Sequence, residues 1–217
     1  PKRAPSYFQQ MMTSVVLAGL IYFICEMYLD DCIVHGKGED QFIERLDKVL
    51  ARFLKHLITL KPSKTKLGMS LVEYCGKQIE ESGLSMSKKK IKRVLDFPKP
   101  KTAHQMKQFV GLANYFHDFI PQHAIIMKPL HDMINGYEKK TRAKTLVWTE
   151  EGTTAFFQII KEIEKNHTMF FPRHDCPIFL MTDSSDYGIG AYCYQLADNV
   201  EQPVAFVSKT LTTTQVK

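Results

Sequence analysis

Apolar positions change period several times along this chain, and each change predicts a change of element. Ala4-Pro5-Ser6-Tyr7-Phe8-Gln9-Gln10-Met11-Met12 leads through Val15, Val16 and Leu17 with helical spacing. Pro5 suits a first helical turn, and Gly19 ends or bends the helix. Ile21, Tyr22, Phe23 and Ile24 then precede, and Ile33 and Val34 follow, the stretch Met27-Tyr28-Leu29-Asp30-Asp31-Cys32. β-Branched and aromatic residues favour strands and Asp favours tight turns, so the pattern predicts a β-hairpin with two acids at its tip. Gly36-Lys37-Gly38 reads as a turn. Phe42, Ile43, Leu46, Val49, Leu50, Phe53, Leu54 and Leu57 recur every three or four residues, as in a strongly amphipathic helix, and Lys61-Pro62-Ser63 breaks it. Val72 to Ile79 reads as a strand, and Glu81-Ser82-Gly83-Leu84 as a glycine turn with a short return strand.

A basic cluster, Lys88-Lys89-Lys90-Ile91-Lys92-Arg93, precedes Pro98 and Pro100. Such a run is either a solvated helix face or a contact for phosphate backbones. Thr102 with Gln105 predicts a capping box for a helix carrying Met106, Phe109, Val110, Ala113 and Phe116, with Tyr115 and Phe119 adding aromatic faces to the core. Residues 135–145, polar and containing Gly136, read as a linker. Thr149 caps a further helix with Phe156, Ile159, Ile160 and Ile163 inside, and Glu150 and Glu151 suit its first turn. After Pro172 the period becomes that of strands: Ile178 to Thr182, Gly188 to Gln195 and Pro203 to Val207, an antiparallel meander.

Charge and composition narrow the chemistry. The 217 residues are 44% hydrophobic, enough for a sizeable core in one or two domains, and the net charge of +6 favours an anionic partner such as nucleic acid. Five scattered cysteines without a Cys-x-x-Cys pair support neither a disulfide framework nor a zinc ribbon, and point to a reducing compartment. The apolar run from Val15 to Cys25 is too short to span a bilayer. His167, His174 and Cys176 match no zinc spacing, and phosphate-loop, hydrolase-elbow and zincin motifs are missing from the sequence. A start at Pro1 predicts a piece of something longer. Asp30 and Asp31 are either a solvated turn or a site where a shared hard cation relieves their repulsion. Asp183, at the end of a strand, has the same two readings.

Several blocks, in order, resemble the reverse transcriptases of gypsy-class LTR retrotransposons. Ala4-Pro5-Ser6-Tyr7-Phe8-Gln9 resembles the end of an Asn-Ala-Pro-x-x-Phe-Gln motif, and Tyr28-Leu29-Asp30-Asp31 matches the Tyr-x-Asp-Asp palm motif. Leu60-Lys61-Pro62-Ser63-Lys64 resembles the segment after the palm helix, and Tyr74-Cys75-Gly76-Lys77 the strand that grips the primer. Phe109 to Phe116, followed by Phe119-Ile120-Pro121, is similar to the thumb-region signature. Trp148-Thr149-Glu150-Glu151 and Phe179 to Gln195 resemble the helix and opening strands of the ribonuclease H domain.

The resemblance implies an α+β fold: a partial polymerase palm (1–87), a helical thumb-like region and linker (88–147), and an incomplete ribonuclease H-like domain (148–217). It implies RNA-directed DNA synthesis on a primer 3′-hydroxyl, with Mg²⁺ or Mn²⁺ held by Asp30 and Asp31, and cleavage of RNA in hybrids with Asp183 as a metal ligand. Tyr28 would sit by the primer end, Gln9 would position template and nucleotide, Lys64 would protonate pyrophosphate, and Tyr74, Cys75, Gly76 and Lys77 would hold the primer. Implied partners are RNA/DNA template-primer, deoxynucleoside triphosphates and the remaining polyprotein domains (fingers, the rest of ribonuclease H, integrase and protease), with no membrane. The implied location is intracellular, in a cytoplasmic particle or the nucleus. Arg3 in place of the motif's Asn, and Glu26 before the palm motif, depart from the pattern. They suggest the alternative of a decayed or co-opted element that binds nucleic acid without catalysis. A third palm carboxylate would lie upstream and further ribonuclease H acids downstream, so the 217 residues alone are expected to be inactive.

Overall fold

The N-terminal apolar run forms helix α1 (Ala4–Met11), which continues as a π-turn over Met12–Val16 and buries Met12, Val16 and Leu17. The structure, a computed structural model, describes residues 4–135, 145–186, 188–212 and 214–215. The predicted linker lies outside the described residues except at its ends, Asn135 and Thr145, and Lys2 and Arg3 lie outside them too. The chain divides into two compact units, Pro1–Cys75 and Gly76–Lys217.

In the first unit, strand β1 (Cys25–Tyr28) pairs antiparallel with β2 (Asp31–Val34), from Cys25 opposite Val34 to Tyr28 opposite Asp31. The hairpin is therefore as expected, but its first strand is shorter. Residues 22–24 form a turn, because the Phe23 and Ile24 amides donate back to the Leu20 carbonyl at 3.2 and 3.0 Å. Strand propensity loses there to local helical bonding, which leaves Tyr22 and Phe23 more than 70% exposed. Helix α2 (Gly38–Lys55) has Glu39 and Asp40 in its first turn and Arg52 and Lys55 in its last, matching the helix dipole. It buries Val49 and Phe53, while Ile43, Leu50, Leu54 and Leu57 are exposed, a narrower buried stripe than the periodicity predicts. Strand β3 (Leu71–Tyr74) ends the unit. The single strand expected over Val72 to Ile79 is interrupted: Cys75 (φ 51°) and Gly76 (φ 76°) are both left-handed, a conformation a continuous strand cannot hold.

The second unit opens with β4 (Lys77–Glu80) and β5 (Gly83–Met86), which pair antiparallel with each other, and β5 pairs in turn with β6 (Met169–Phe170). A Cβ on Gly83 would fall 2.1 Å from the Met169 carbonyl oxygen, so only glycine allows this approach. Helices α3 (Lys88–Leu95), α4 (Ala103–Ala113), α5 (His123–Asn135) and α6 (Glu150–Lys165) follow. Both predicted caps form: Thr102 Oγ1 accepts from the Gln105 amide at 3.2 Å, and Thr149 Oγ1 from the Gly152 amide at 3.0 Å. Gln105 closes its box one residue early, accepting from the Lys101 amide at 2.8 Å. Phe109 anchors the core, its ring 5.5 Å from Phe97 and 4.6 Å from Phe156. Strands β7 (Ile178–Ser184), β8 (Gly188–Ala197) and β9 (Val200–Thr210) form the expected meander, and Phe206 joins it to the same core. Among the described residues no helix is long and apolar enough to cross a membrane.

Two titratable groups report on this packing. Cys32 donates its thiol hydrogen to Cys25, and that bond, with burial, raises its pKa well above the ordinary thiol range. A thiol reagent at about pH 8 should therefore modify exposed Cys75 ahead of Cys32; peptide mapping showing Cys32 labelled first would contradict the arrangement. His123, at the start of α5, bonds the Ala113 backbone while its Nε2 is buried without a partner. Burial, then neighbouring His117, lowers its pKa from 6.5 to about 4. The unfolded chain takes up this proton as pH falls through 6.5, but the folded one resists until about 4. Stability of this unit should thus fall across that window, by up to about 1.4 kcal/mol per pH unit. Urea unfolding at several pH values should show that slope, and His123→Gln should flatten it; an unchanged slope in the variant would refute the assignment.

Candidate functional site

The β1–β2 hairpin rests on a buried base and ends in an exposed tip. Cys25 and Met27 point into the first unit's core with Val16, Leu17, Val49 and Phe53. Alternation then puts Tyr28 on the surface, 57% exposed, directly across from Asp31. Leu29 and Asp30 are the two loop residues, and both Asp30 and Asp31 are exposed. None of the ion pairs among the described residues involves either acid. Leu29 sits at φ 54°, a left-handed conformation that a branched side chain rarely adopts and that two-residue hairpin loops require.

Gln9 reaches this tip from α1. Its Nε2 donates to the Met27 carbonyl at 3.0 Å, and its Oε1 accepts from the Leu29 amide. Tyr74, at the end of β3, is half-buried. Burial first, then the negative groups of Cys75, Glu26, Cys32 and Asp31, push its hydroxyl pKa up, so it stays protonated at neutral pH. Gln9, Tyr28, Asp30, Asp31 and Tyr74 are thus gathered by the first unit, with Cys75 exposed at its end. Lys64 is exposed on the 3₁₀ turn Pro62–Lys64.

The remaining candidates lie in the second unit. Gly76 is left-handed, and a Cβ there would fall 2.2 Å from the Tyr115 hydroxyl and 3.1 Å from Lys90 Nζ. Lys77 Nζ lies 3.6 Å from an Asp118 carboxylate oxygen and 5.2 Å from the centre of the Phe119 ring. Lys90 sits over Tyr115 at 4.2 Å. Asp118, Tyr115 and Lys90 were invisible as neighbours of this segment because they contact it only in three dimensions. Asp183 is on β7, opposite Gly190, and lines a shallow cavity of about 420 Å³ with Thr182, Ser184, Ile189, Ala191 and Val207.

A hard divalent cation fits the donor set at the hairpin. The donors are exposed carboxylate oxygens that no cation among the described residues pairs with, and Mg²⁺ commonly uses one or two carboxylates plus substrate phosphates. Among the described residues no group of three or more His, Cys, Asp or Glu side chains is gathered as a metal cage. The hairpin thus offers a pair of ligands that needs further oxygen donors.

Residues 148–217 match the family described as the RNase H-like domain found in reverse transcriptase. The chain is 28% identical over 219 residues to the retrovirus-related Pol polyprotein from transposon opus of Drosophila melanogaster, covering 99% of the chain. It is 29% identical over 216 residues to that from transposon gypsy of the same organism, covering 97% of the chain. With the transposon Tf2-3 polyprotein of Schizosaccharomyces pombe it shares 27% over 215 residues, covering 98% of the chain. It spans 22%, 20% and 16% of those relatives' lengths. Its fold matches foamy viral protease-reverse transcriptase solved with double-stranded DNA (TM-score 0.79, 20% identity, 98% of this chain, 36% of that one). It also matches that protein solved with an RNA/DNA hybrid (TM-score 0.76, 20% identity, 98% and 28%). The chain is thus similar along nearly its whole length to retrotransposon Pol polyproteins, and its residues 148–217 match the RNase H-like domain found in reverse transcriptase.

Proposed function

We propose that the chain carries part of an RNA-directed DNA polymerase site, with a ribonuclease H-like site beginning at Asp183. The observation that carries the reading is the exposed Asp30-Asp31 pair on a hairpin whose base is buried, in a relative of Pol polyproteins. Asp30 and Asp31 would hold Mg²⁺ or Mn²⁺, which when bound supplies Lewis-acid activation of a primer hydroxyl and charge neutralisation on nucleotide phosphates. The two carboxylates, one in the loop and one at the start of β2, offer exposed oxygen ligands. Tyr28, exposed beside them, offers an aromatic face and a hydroxyl to the primer end or the nucleotide sugar. Protonated Tyr74 offers a hydrogen bond, and Cys75, Gly76 and Lys77 offer backbone and charge to the primer strand. Lys64 contributes a cation for pyrophosphate.

The substrates would be an RNA or DNA template with its primer and deoxynucleoside triphosphates, and further polyprotein domains would supply missing groups. With two gathered carboxylates, the 217 residues alone would not extend a primer. Glu26, half-buried in β1, favours a second reading, a non-catalytic element that binds nucleic acid.

Primer extension with Mg²⁺ by a Pol polyprotein carrying this chain should fall about a thousandfold or more on Asp30→Asn. Undiminished synthesis by that variant would refute the polymerase reading. Salt-sensitive binding of an RNA/DNA hybrid, with no synthesis even by the unmutated protein, would select the second reading.

A further inference from the structure

Gln9 makes an unusual pair of contacts. In a strand, the carbonyl before a residue and the amide after it point to the same side. Around Tyr28 these are the Met27 carbonyl and the Leu29 amide, and both are taken by the one carboxamide of Gln9. The side chain thus stands in for a peptide of a neighbouring strand, on the edge of β1 that β2 leaves open. It reaches across 20 residues of sequence, from a helix that runs directly into the buried Met12 and Val16, so the contact ties the tip to the core. Its partner Leu29 is the residue held left-handed, and Asp30 is next in the chain.

We propose that Gln9 is a positioning residue: by accepting from Leu29 and donating to Met27 it fixes the turn that presents Asp30 and Asp31 to a cation. The proposal rests on the metal reading of the hairpin given above. It differs from a nucleotide contact, because both ends of the carboxamide are occupied by backbone. The chemistry is specific to glutamine. Asparagine is one methylene short, glutamate accepts but cannot donate, and methionine fills the space with neither function. A left-handed leucine is strained, and an exposed two-residue loop with no such tether relaxes by local opening.

Amide exchange and Mn²⁺ titration on the 217-residue chain test this. In Gln9→Met the Leu29 amide should exchange roughly tenfold faster or more, and Mn²⁺ affinity should fall roughly tenfold, while Val49 and Phe53 amides in α2 keep their protection. In Gln9→Glu, which retains an acceptor, the Leu29 amide should stay slow. An unchanged Leu29 amide in Gln9→Met would overturn the proposal, as would faster exchange with undiminished Mn²⁺ affinity. If Gln9→Met also exposes the α2 amides, Gln9→Glu carries the test, and a fast Leu29 amide there overturns the proposal. Equal Mn²⁺ binding by the wild type and Asp30→Asn would instead refute the metal reading, and Leu29 exchange would still decide whether Gln9 holds the turn.

Discussion

Two neighbouring exposed carboxylates stand at a chain reversal, and the first unit is built so that the backbone carrying them is held in one turn. Below them, Cys25 and Met27 are locked into a core with Met12, Val16, Leu17, Val49 and Phe53, and the Cys32 thiol bonds back to Cys25 across the hairpin. Beside them, the Gln9 carboxamide takes the backbone groups on either side of Tyr28. The loop itself has only two residues, one of them left-handed. The turn therefore presents both carboxylates from a fixed backbone, the arrangement on which the proposed cation site rests.

The second unit handles charge differently. Several of its lysines are engaged within the protein: Lys77 with Asp118 and Phe119, Lys90 over Tyr115, and Lys99 at 4.2 Å over the ring of Trp148. These contacts set the polar edge of a core in which Phe109, Phe116 and Phe156 dominate. Lys88, Lys89, Lys92 and Arg93 of α3 remain exposed because Ile91 and Val94 take the buried side of that helix. The net charge of +6 is therefore partly a solvent-facing helix surface and partly local cation–aromatic packing.

Much of this was legible in the sequence where a local rule decides. Thr102 and Thr149 cap helices as side-chain chemistry dictates, and the three late strands meander as their spacing and turns dictate. Asp30 and Asp31 occupy the tip that flanking β-formers imply. Other features were hidden because tertiary context decides them. Tyr22 to Ile24 have strand composition, yet amides bonding back to Leu20 turn the chain there. The apolar spacing of α2 promised a wide buried face, but only Val49 and Phe53 are fully buried, with Phe42 and Leu46 half-buried. Gln9 could be tied to the site by resemblance, whereas its hold on Leu29 depends on a contact 20 residues away that no periodicity encodes.

A divalent cation at the hairpin tip, as proposed, would be seen by anomalous diffraction from crystals of the chain soaked in Mn²⁺. A manganese peak is expected within coordination distance of carboxylate oxygens of both Asp30 and Asp31, lost in Asp30→Asn. A peak bound elsewhere on the unit with the tip empty, or one that persists at the tip in that variant, would contradict it.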